Sequence, residues 1–527
     1  MFKVLIAIAV LAVSLSGCAG FPPNRHANAE AAPGCTSVFE AAAAAQRERE
    51  QRAAAGTPVN APDEDRYQSP CWQASHERTA NYDLYFVEFD DHGWLSAPAE
   101  DFGNSRGKIK WVTDQLEALA RKDGGAPLNL VVYTHGWHHT AAPDDGNVDA
   151  FRNLLDRMSR LEKRLDAGSA EGAASASRRV VGVYIGWRGD SVLGAGLQQT
   201  SIWDRKLAAE EVAQGAVQEL FARLHNFYLA HACHFSEASA LVIAGTKPAV
   251  PRTEDCPGGQ DVHMLTIGHS FGALITYRAL AGRLMSNIAE YPRGWSGTGA
   301  PPYAHSFGDL VVLVNPAFEG VHFEALARAA SERRYPTAEP GQGPHGAQLP
   351  TVIIVQSEGD WATGTFFPLF RRFTSVFSPS TGAVQSDASR HSVGWTDRYV
   401  THRLELTQDL GQCRLACQLD NEKTWHKAQQ DTRYKAFGDP SMQLANGLNL
   451  TQCRVADGGR LACGDDAQRA VSGDGGLARP PFMPIWVVRT DSRIIADHND
   501  FLNPHLLIFV RQIYYTVLEE SLHAFPD

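Results

Sequence analysis

Short, uninterrupted apolar runs recur along this chain and are separated by amphipathic stretches. The runs are Leu84–Phe89, Leu128–Tyr133, Val180–Ile185, Val262–Ile267, Leu310–Val314, Val352–Val355 and Ile485–Val488. A strand that is apolar on both faces must be covered on both faces. Between the runs the spacing turns helical. Ile109, Val112, Leu116 and Leu119 share one face within 109–121, and Val217, Leu220, Phe221 and Leu224 share another within 212–224. Residues 148–165, 273–284 and 506–518 read as further helices. Buried strands alternating with helices predict an α/β fold, with a mostly parallel central sheet covered by helices on both faces.

The composition suits such a fold. Hydrophobic residues make up 44% and charged residues 20% of the 527 positions, which excludes wholesale disorder. The formal charge of −11 is spread without basic blocks, which argues against nucleic acid as a partner. The expected globular part spans residues 82–522, beginning near Tyr82. Within it, residues 361–484 separate two strands and exceed an ordinary crossover, so they are expected to form a cap-like insertion.

The beginning of the chain bears on its compartment. Met1-Phe2-Lys3 precedes an apolar run from Val4 to Leu15, too short to span a bilayer and suited to a secretory signal. Leu15-Ser16-Gly17-Cys18 resembles the lipobox of bacterial lipoproteins, with an ordinary signal-peptide cleavage as the alternative. The resemblance implies that residues 1–17 are removed, that Cys18 is acylated, and that Ala19 directs the chain to the outer membrane of a Gram-negative cell envelope. Residues 18–81 then read as a tether and N-terminal extension, with a polar helix over 40–55. The remaining cysteines are even in number, as expected of disulfides in an exported chain. Position suggests Cys35 with Cys71, Cys233 with Cys256, and two bridges among Cys413, Cys417, Cys453 and Cys463. Zinc at Cys413-x3-Cys417 is disfavoured by its spacing and by the oxidising compartment.

The chemistry concentrates at Gly268-His269-Ser270-Phe271-Gly272, between an expected strand and an expected helix. Flanking glycines permit the tight, strained turn that lifts a serine hydroxyl clear of a sheet, and the helix N-terminus below favours negative charge. In this context the sequence resembles the serine esterase and lipase branch of the α/β-hydrolase superfamily. The resemblance implies Ser270 as nucleophile, followed in the chain by an acid and then a histidine. Gly359-Asp360, after the strand Val352–Val355, fits the acid, with Glu358 as competitor. His498, after the strand Ile485–Val488, fits the base. His135-Gly136-Trp137 follows a strand end where such enzymes keep an oxyanion hole, so the backbone N–H groups of Trp137 and Phe271 are the expected donors. A metal site among His135, His138 and His139 is the competing reading of that loop.

Trp187 and Arg188 end another strand on the same edge and are candidate pocket residues, although an arginine there can equally pair with a loop carboxylate. Phe366, Phe367, Phe370, Phe373 and Phe377 begin the insertion straight after Asp360; Phe366 and Phe370 are candidate pocket residues, with a buried aromatic core as the alternative. The expected activity is carboxylic ester hydrolysis through an acyl-serine, without metal or cofactor, on a small-molecule or lipid ester. Acyltransfer or amide hydrolysis on the same residues is the alternative, as is a catalytically silent envelope protein that only binds.

Overall fold

A computed structural model describes residues 23–25, 34–54, 67, 69–96, 107–121, 127–167, 178–190, 202–232, 261–289, 301, 303–337, 347–374, 381–407, 441–444, 447–456, 459–469, 477, 479–480 and 482–523. In chain order the elements begin with α1 (Cys35–Ala54), β1 (His76–Arg78), β2 (Tyr82–Phe89), α2 (Gly107–Ala120), β3 (Leu128–Thr134), α3 (Gly146–Ala167) and β4 (Arg179–Trp187). They continue with α4 (Ile202–Gln214), α5 (Val217–His231), β5 (Val262–His269), α6 (Phe271–Ala289), β6 (Leu310–Val314), α7 (Glu324–Glu332) and β7 (Val352–Ser357). The last part holds α8 (Phe367–Thr374), α9 (Ala383–Arg390), β8 (His402–Leu406), β9 (Ser441–Gln443), β10 (Leu448–Val455), β11 (Leu461–Cys463), α10 (Asp465–Arg469), β12 (Ile485–Thr490) and α11 (Pro504–His523).

The strands form one mixed sheet in the order β1-β2-β4-β3-β5-β6-β7-β12-β8-β10-β11, with β9 also on β10. Every pairing from β2 through β8 is parallel, and the pairings beyond, at both edges, are antiparallel. Alternate residues of the central strands feed two cores. Tyr85, Val87, Leu130 and Val132 pack with α2, α5 and α6, whereas Leu84, Phe86, Val131 and Tyr133 pack with α3 and α11. The α/β expectation therefore holds at the level of a mostly parallel sheet with helices on both faces.

Three features depart from the expected organisation. The helix expected at 212–224 is two helices, α4 and α5, broken at Gly215. The turn at Gly93 occupies the break: a Cβ on Gly215 would lie 2.2 Å from the Gly93 oxygen, and the Ala216 N–H donates to that same oxygen at 2.7 Å. The described part of 361–484, expected as a cap, holds the helices α8, α9 and α10 and also strands that extend the sheet. Its strand β8 lies parallel to β12, pairing His402 with Val488, and β10 continues from β8. This gives β12, buried along its whole length, a neighbour on each side.

The expected tether is docked in all its described parts. Cys35 and Cys71 form a disulfide that fastens α1 to the turn at Pro70–Gln73, where the rings of Phe39 and Tyr67 stand 5.0 and 5.2 Å from that of Trp72. A second disulfide, Cys453–Cys463, joins β10 to β11. Residues 1–17, Cys18, Cys233, Cys256, Cys413 and Cys417 lie outside the described residues.

Ahead of α1, the backbone N–H groups of Asn24 and Arg25 donate to the Glu88 carboxylate at 3.0 and 2.8 Å. The fully buried Arg25 guanidinium lies over the Phe86 ring, donates to the Ala141 carbonyl at 2.8 Å, and pairs with Glu77 at 2.9 Å. Glu77 also receives Arg152 at 2.7 Å. Burial would raise the Glu77 pKa, but the two guanidiniums outweigh it and hold the carboxyl below its usual range. Removing one partner of such a set leaves an uncompensated buried charge, at a cost of about 3–5 kcal/mol. Glu77→Gln removes the carboxylate that both guanidiniums bond, leaving Arg152 only Asp149 at 2.8 Å and Arg25 no side-chain carboxylate bond, whereas Arg25→Met leaves Glu77 paired with Arg152. Urea unfolding should therefore show a clearly larger loss for Glu77→Gln than for Arg25→Met; equal losses would mean that Arg152 does not share the pair.

Candidate active site

Strand β5 ends at His269 and α6 begins at Phe271, so a single residue, Ser270, makes the turn. Its φ is +56°, a left-handed conformation that a non-glycine residue adopts at an energetic cost. The surroundings enforce it. The Ser270 N–H donates to the Val314 carbonyl at 3.0 Å, and its own carbonyl accepts from Ala273 and Ala317 at 3.1 and 3.2 Å. Both motif glycines are required by space. A Cβ on Gly272 would lie 2.2 Å from the Thr134 oxygen, and one on Gly268 would lie 2.8 Å from the Ala273 Cα. A Cβ on Gly136 would come within 2.8 Å of the Ser270 Cβ, so the loop after β3 lies directly against the serine.

The three residues expected from their chain order meet here. His498 Nε2 is 2.7 Å from Ser270 Oγ, and His498 Nδ1 is 3.0 Å from Asp360 Oδ2. The second contact has hydrogen-bond length but is out of line (Nδ1 makes no hydrogen bond of good geometry), and such contacts commonly tighten only when substrate is bound. Asp360 is fully buried. Its Oδ1 accepts the backbone N–H groups of Ala362 and Thr363 at 3.0 and 3.1 Å; its Oδ2 accepts the Thr363 hydroxyl and, at 3.1 Å, Gln356 Nε2. Burial would raise its pKa, but His498 and these donors outweigh it and keep the carboxyl below the usual range. Glu358 is directed elsewhere, pairing with Arg403 at 2.9 Å.

The loop after β3 is clipped to the loop after β4. His135 accepts the Trp187 backbone N–H on Nε2 at 3.0 Å, which puts its proton on Nδ1, facing the Gly136 carbonyl at 2.9 Å. The Trp187 indole donates back to the His135 carbonyl at 2.9 Å, and the rings stack with centroids 5.7 Å apart. Trp187 is buried, and through these contacts it braces the loop. Arg188 pairs with Asp91, which also binds Arg205 at 2.9 Å, so the arginine takes the structural alternative. The histidines of the loop go to separate partners, His139 Nδ1 lying 3.0 Å from Asp145 Oδ1 and His138 Nδ1 3.6 Å from Asp190 Oδ1. Among the described residues, no group of three or more histidine, cysteine, aspartate or glutamate side chains is placed to hold a metal ion.

The aromatic stretch leaves from beside the acid, through a π-helical turn at Ala362–Phe366 into α8. Phe367 is buried; Phe366 is partly exposed, its ring 6.1 Å from that of Trp361. The side chains of Phe370 and Phe373, and all of Phe377, lie outside the described residues. No family model, no curated protein and no solved structure matches the chain.

Several supporting residues were not singled out from sequence. The His498 carbonyl accepts from His269 Nε2 at 2.7 Å and Asn315 Nδ2 at 3.1 Å, so two neighbouring strand ends grip the backbone of the histidine. Asn315 itself has φ +45°. Trp395 donates its indole N–H to Thr363 Oγ1 at 3.1 Å, so the stretch between β7 and β8 also braces Asp360 through Thr363. The bonds to His498 join residues about two hundred positions apart, and no local pattern announces them.

Burial makes His135 and His269 poor bases, lowering their pKa values to about 4 and about 3. An unfolded histidine titrates near 6.5, so from there down to about 4 the unfolded state takes up protons that the native state refuses. The stability these residues contribute is complete above pH 6.5 and is lost as pH falls through that window. Thermal melts should therefore show a falling midpoint between pH 6.5 and 4, and His269→Gln should flatten the fall. An unchanged slope in that variant would show that His269 is not held neutral.

Proposed function

We propose that the chain is a serine hydrolase that cleaves carboxylic esters through an acyl-Ser270 intermediate. The observation that carries this reading is the contact series from Ser270 Oγ to His498 Nε2, and from His498 Nδ1 to Asp360 Oδ2, at 2.7 and 3.0 Å. The strand–turn–helix placement of Ser270 and the order serine, acid, histidine support the α/β-hydrolase resemblance on which it draws.

In this reading His498 Nε2 removes the Ser270 proton as Oγ attacks the ester carbonyl carbon. For that, His498 must carry its own proton on Nδ1, facing Asp360, and the buried carboxylate favours that tautomer and offsets the imidazolium charge that forms. Negative charge collects on the former carbonyl oxygen. Gly136 lies against the serine, so the Trp137 N–H comes next in the loop, and the Phe271 N–H opens α6 beneath the same point. Each such donor supplies about 3 kcal/mol of transition-state stabilisation. The intermediate collapses with the proton passing from His498 to the departing alcohol, and water repeats the sequence to release the acid. The lipobox-like Leu15–Cys18 supports an envelope location through an acyl anchor; among the described residues no helix is long and apolar enough to cross a membrane.

Ser270→Ala and His498→Ala should each remove ester turnover by about 10⁴-fold or more while the protein stays folded, and the double variant should lose little further, because the set acts as a unit. Asp360→Asn should lose far more than Glu358→Gln. Kinetics on a short-chain chromogenic ester, with circular dichroism on each variant, measure this. Wild-type turnover in Ser270→Ala would overturn the assignment, and the reverse order of the two acids would move the role to Glu358.

A further inference from the structure

We propose that this chain sits on a lipid bilayer with the Ser270-bearing edge of its sheet turned toward the membrane, so that esters resident in the bilayer are the substrates presented to the site. The proposal rests on the readings of Ser270 as nucleophile and Cys18 as the acylated residue. What the structure adds is direction.

The N-terminal segment is riveted to one particular edge. Glu88, which holds Asn24 and Arg25, is the penultimate residue of β2, and Ala141, which accepts the Arg25 guanidinium, lies beyond the end of β3. Both belong to the carboxyl-terminal edge of the parallel strands, as Ser270 does at the end of β5. A chain spans at most about 3.5 Å per residue, so the six residues from position 18 to Asn24 can bridge no more than about 20 Å. Across the sheet, β4 and β3 intervene between β2 and β5, placing the two ends about 14 Å apart at the usual strand spacing. The opposite edge lies a further strand length of about 25 Å away, past the covering helices. A lipid on Cys18 can therefore reach the bilayer easily from the Ser270 edge and hardly at all from the other.

The same edge presents apolar side chains to water. Leu207, Trp361 and Leu369 are 60, 59 and 52% exposed. Trp361 follows Asp360 directly. Lys206 of α4 and Arg371 of α8 both reach Glu319, just past the end of β6, at 3.1 Å each, which brings the helix turns that carry Leu207 and Leu369 to this edge. Trp94, just past the end of β2, is 59% exposed as well. Large apolar groups exposed along one edge suit insertion among lipid headgroups and acyl chains. The overall charge of −11 argues against docking by attraction to anionic lipid, so the contact should be apolar and insensitive to salt.

The test uses the full chain exported with its own N-terminus and reconstituted on phosphatidylcholine vesicles doped with nitroxide-labelled lipid. An environment-sensitive fluorophore is placed by Leu369→Cys or by Lys163→Cys. Lys163 bonds Asn81, just ahead of β2, and so marks the opposite edge. The label at 369 should be strongly quenched, equally in low and high salt, and the label at 163 should not. A Leu207→Asp/Leu369→Asp variant should lose roughly tenfold in turnover of an ester dissolved in the vesicles while hydrolysing a soluble acetyl ester at the unaltered rate. Equal quenching at both positions, failure of the wild-type chain to associate with vesicles, or parallel loss of both activities would overturn the proposed orientation. If Ser270-dependent hydrolysis of the soluble ester persists in any of those cases, the chemical reading survives and only the orientation fails. Quenching confined to 369 without any ester turnover would uphold the orientation and overturn the substrate assignment.

Discussion

The first turn of α6 presses so closely on the end of β3 that only a missing side chain at Gly272 lets the two backbones coexist. From that contact much of the local geometry follows. It fixes where α6 starts, and therefore forces the reversal from β5 into a single residue with positive φ. It also sets the loop after β3 beside Ser270, so that Gly136 must be bare as well. A parallel sheet helps, because neighbouring strands all end on one side and deliver their loops to one line. Ser270, Asp360 and His498 come from loops after β5, β7 and β12, which are separated in the sheet only by β6 and by each other.

Around that line the polar groups are buried and mutually supporting. Asp360 accepts several hydrogen bonds, His498 is held by its carbonyl, and His135 is locked between two loops. A carboxylate with this many donors cannot rotate without breaking some of them, and a histidine held through its main-chain carbonyl has the start of its side chain fixed in place.

Much of this was legible in the chain because it is written locally. The apolar runs gave the strands, the glycines around Ser270 gave the turn, and each of Asp360 and His498 followed a recognisable strand. Cys35 and Cys71 were paired by position alone, as the structure has them. What escaped sequence reading depends on distant partners. Trp187 looks like a pocket residue because it ends a strand on the right edge, yet its indole turns inward to His135. Glu358 and Asp360 are nearly adjacent, and only Arg403, on a strand from the inserted segment, draws the first away. The polar N-terminal stretch reads as a tether because it lacks an apolar stripe, but Arg25 is taken up by Glu77, a charge partner fifty residues on. Residues 361–484 read as a cap because they interrupt the strand–helix alternation, whereas β8 and β10 rejoin the sheet with hardly any local signature.

Strand β8 also bears on the order in which the chain supplies the site. Strand β12 is sandwiched between β7 and β8, so it enters a slot whose second wall is supplied by the insertion, and His498 is carried in the loop that follows. A chain emerging from its amino terminus contains the Ser270 turn and the Asp360 loop well before His498 is made. On the proposed function, a polypeptide still being made therefore holds Ser270 and Asp360 without the histidine that is to ionise the serine, and reactivity waits on β12 and the loop behind it.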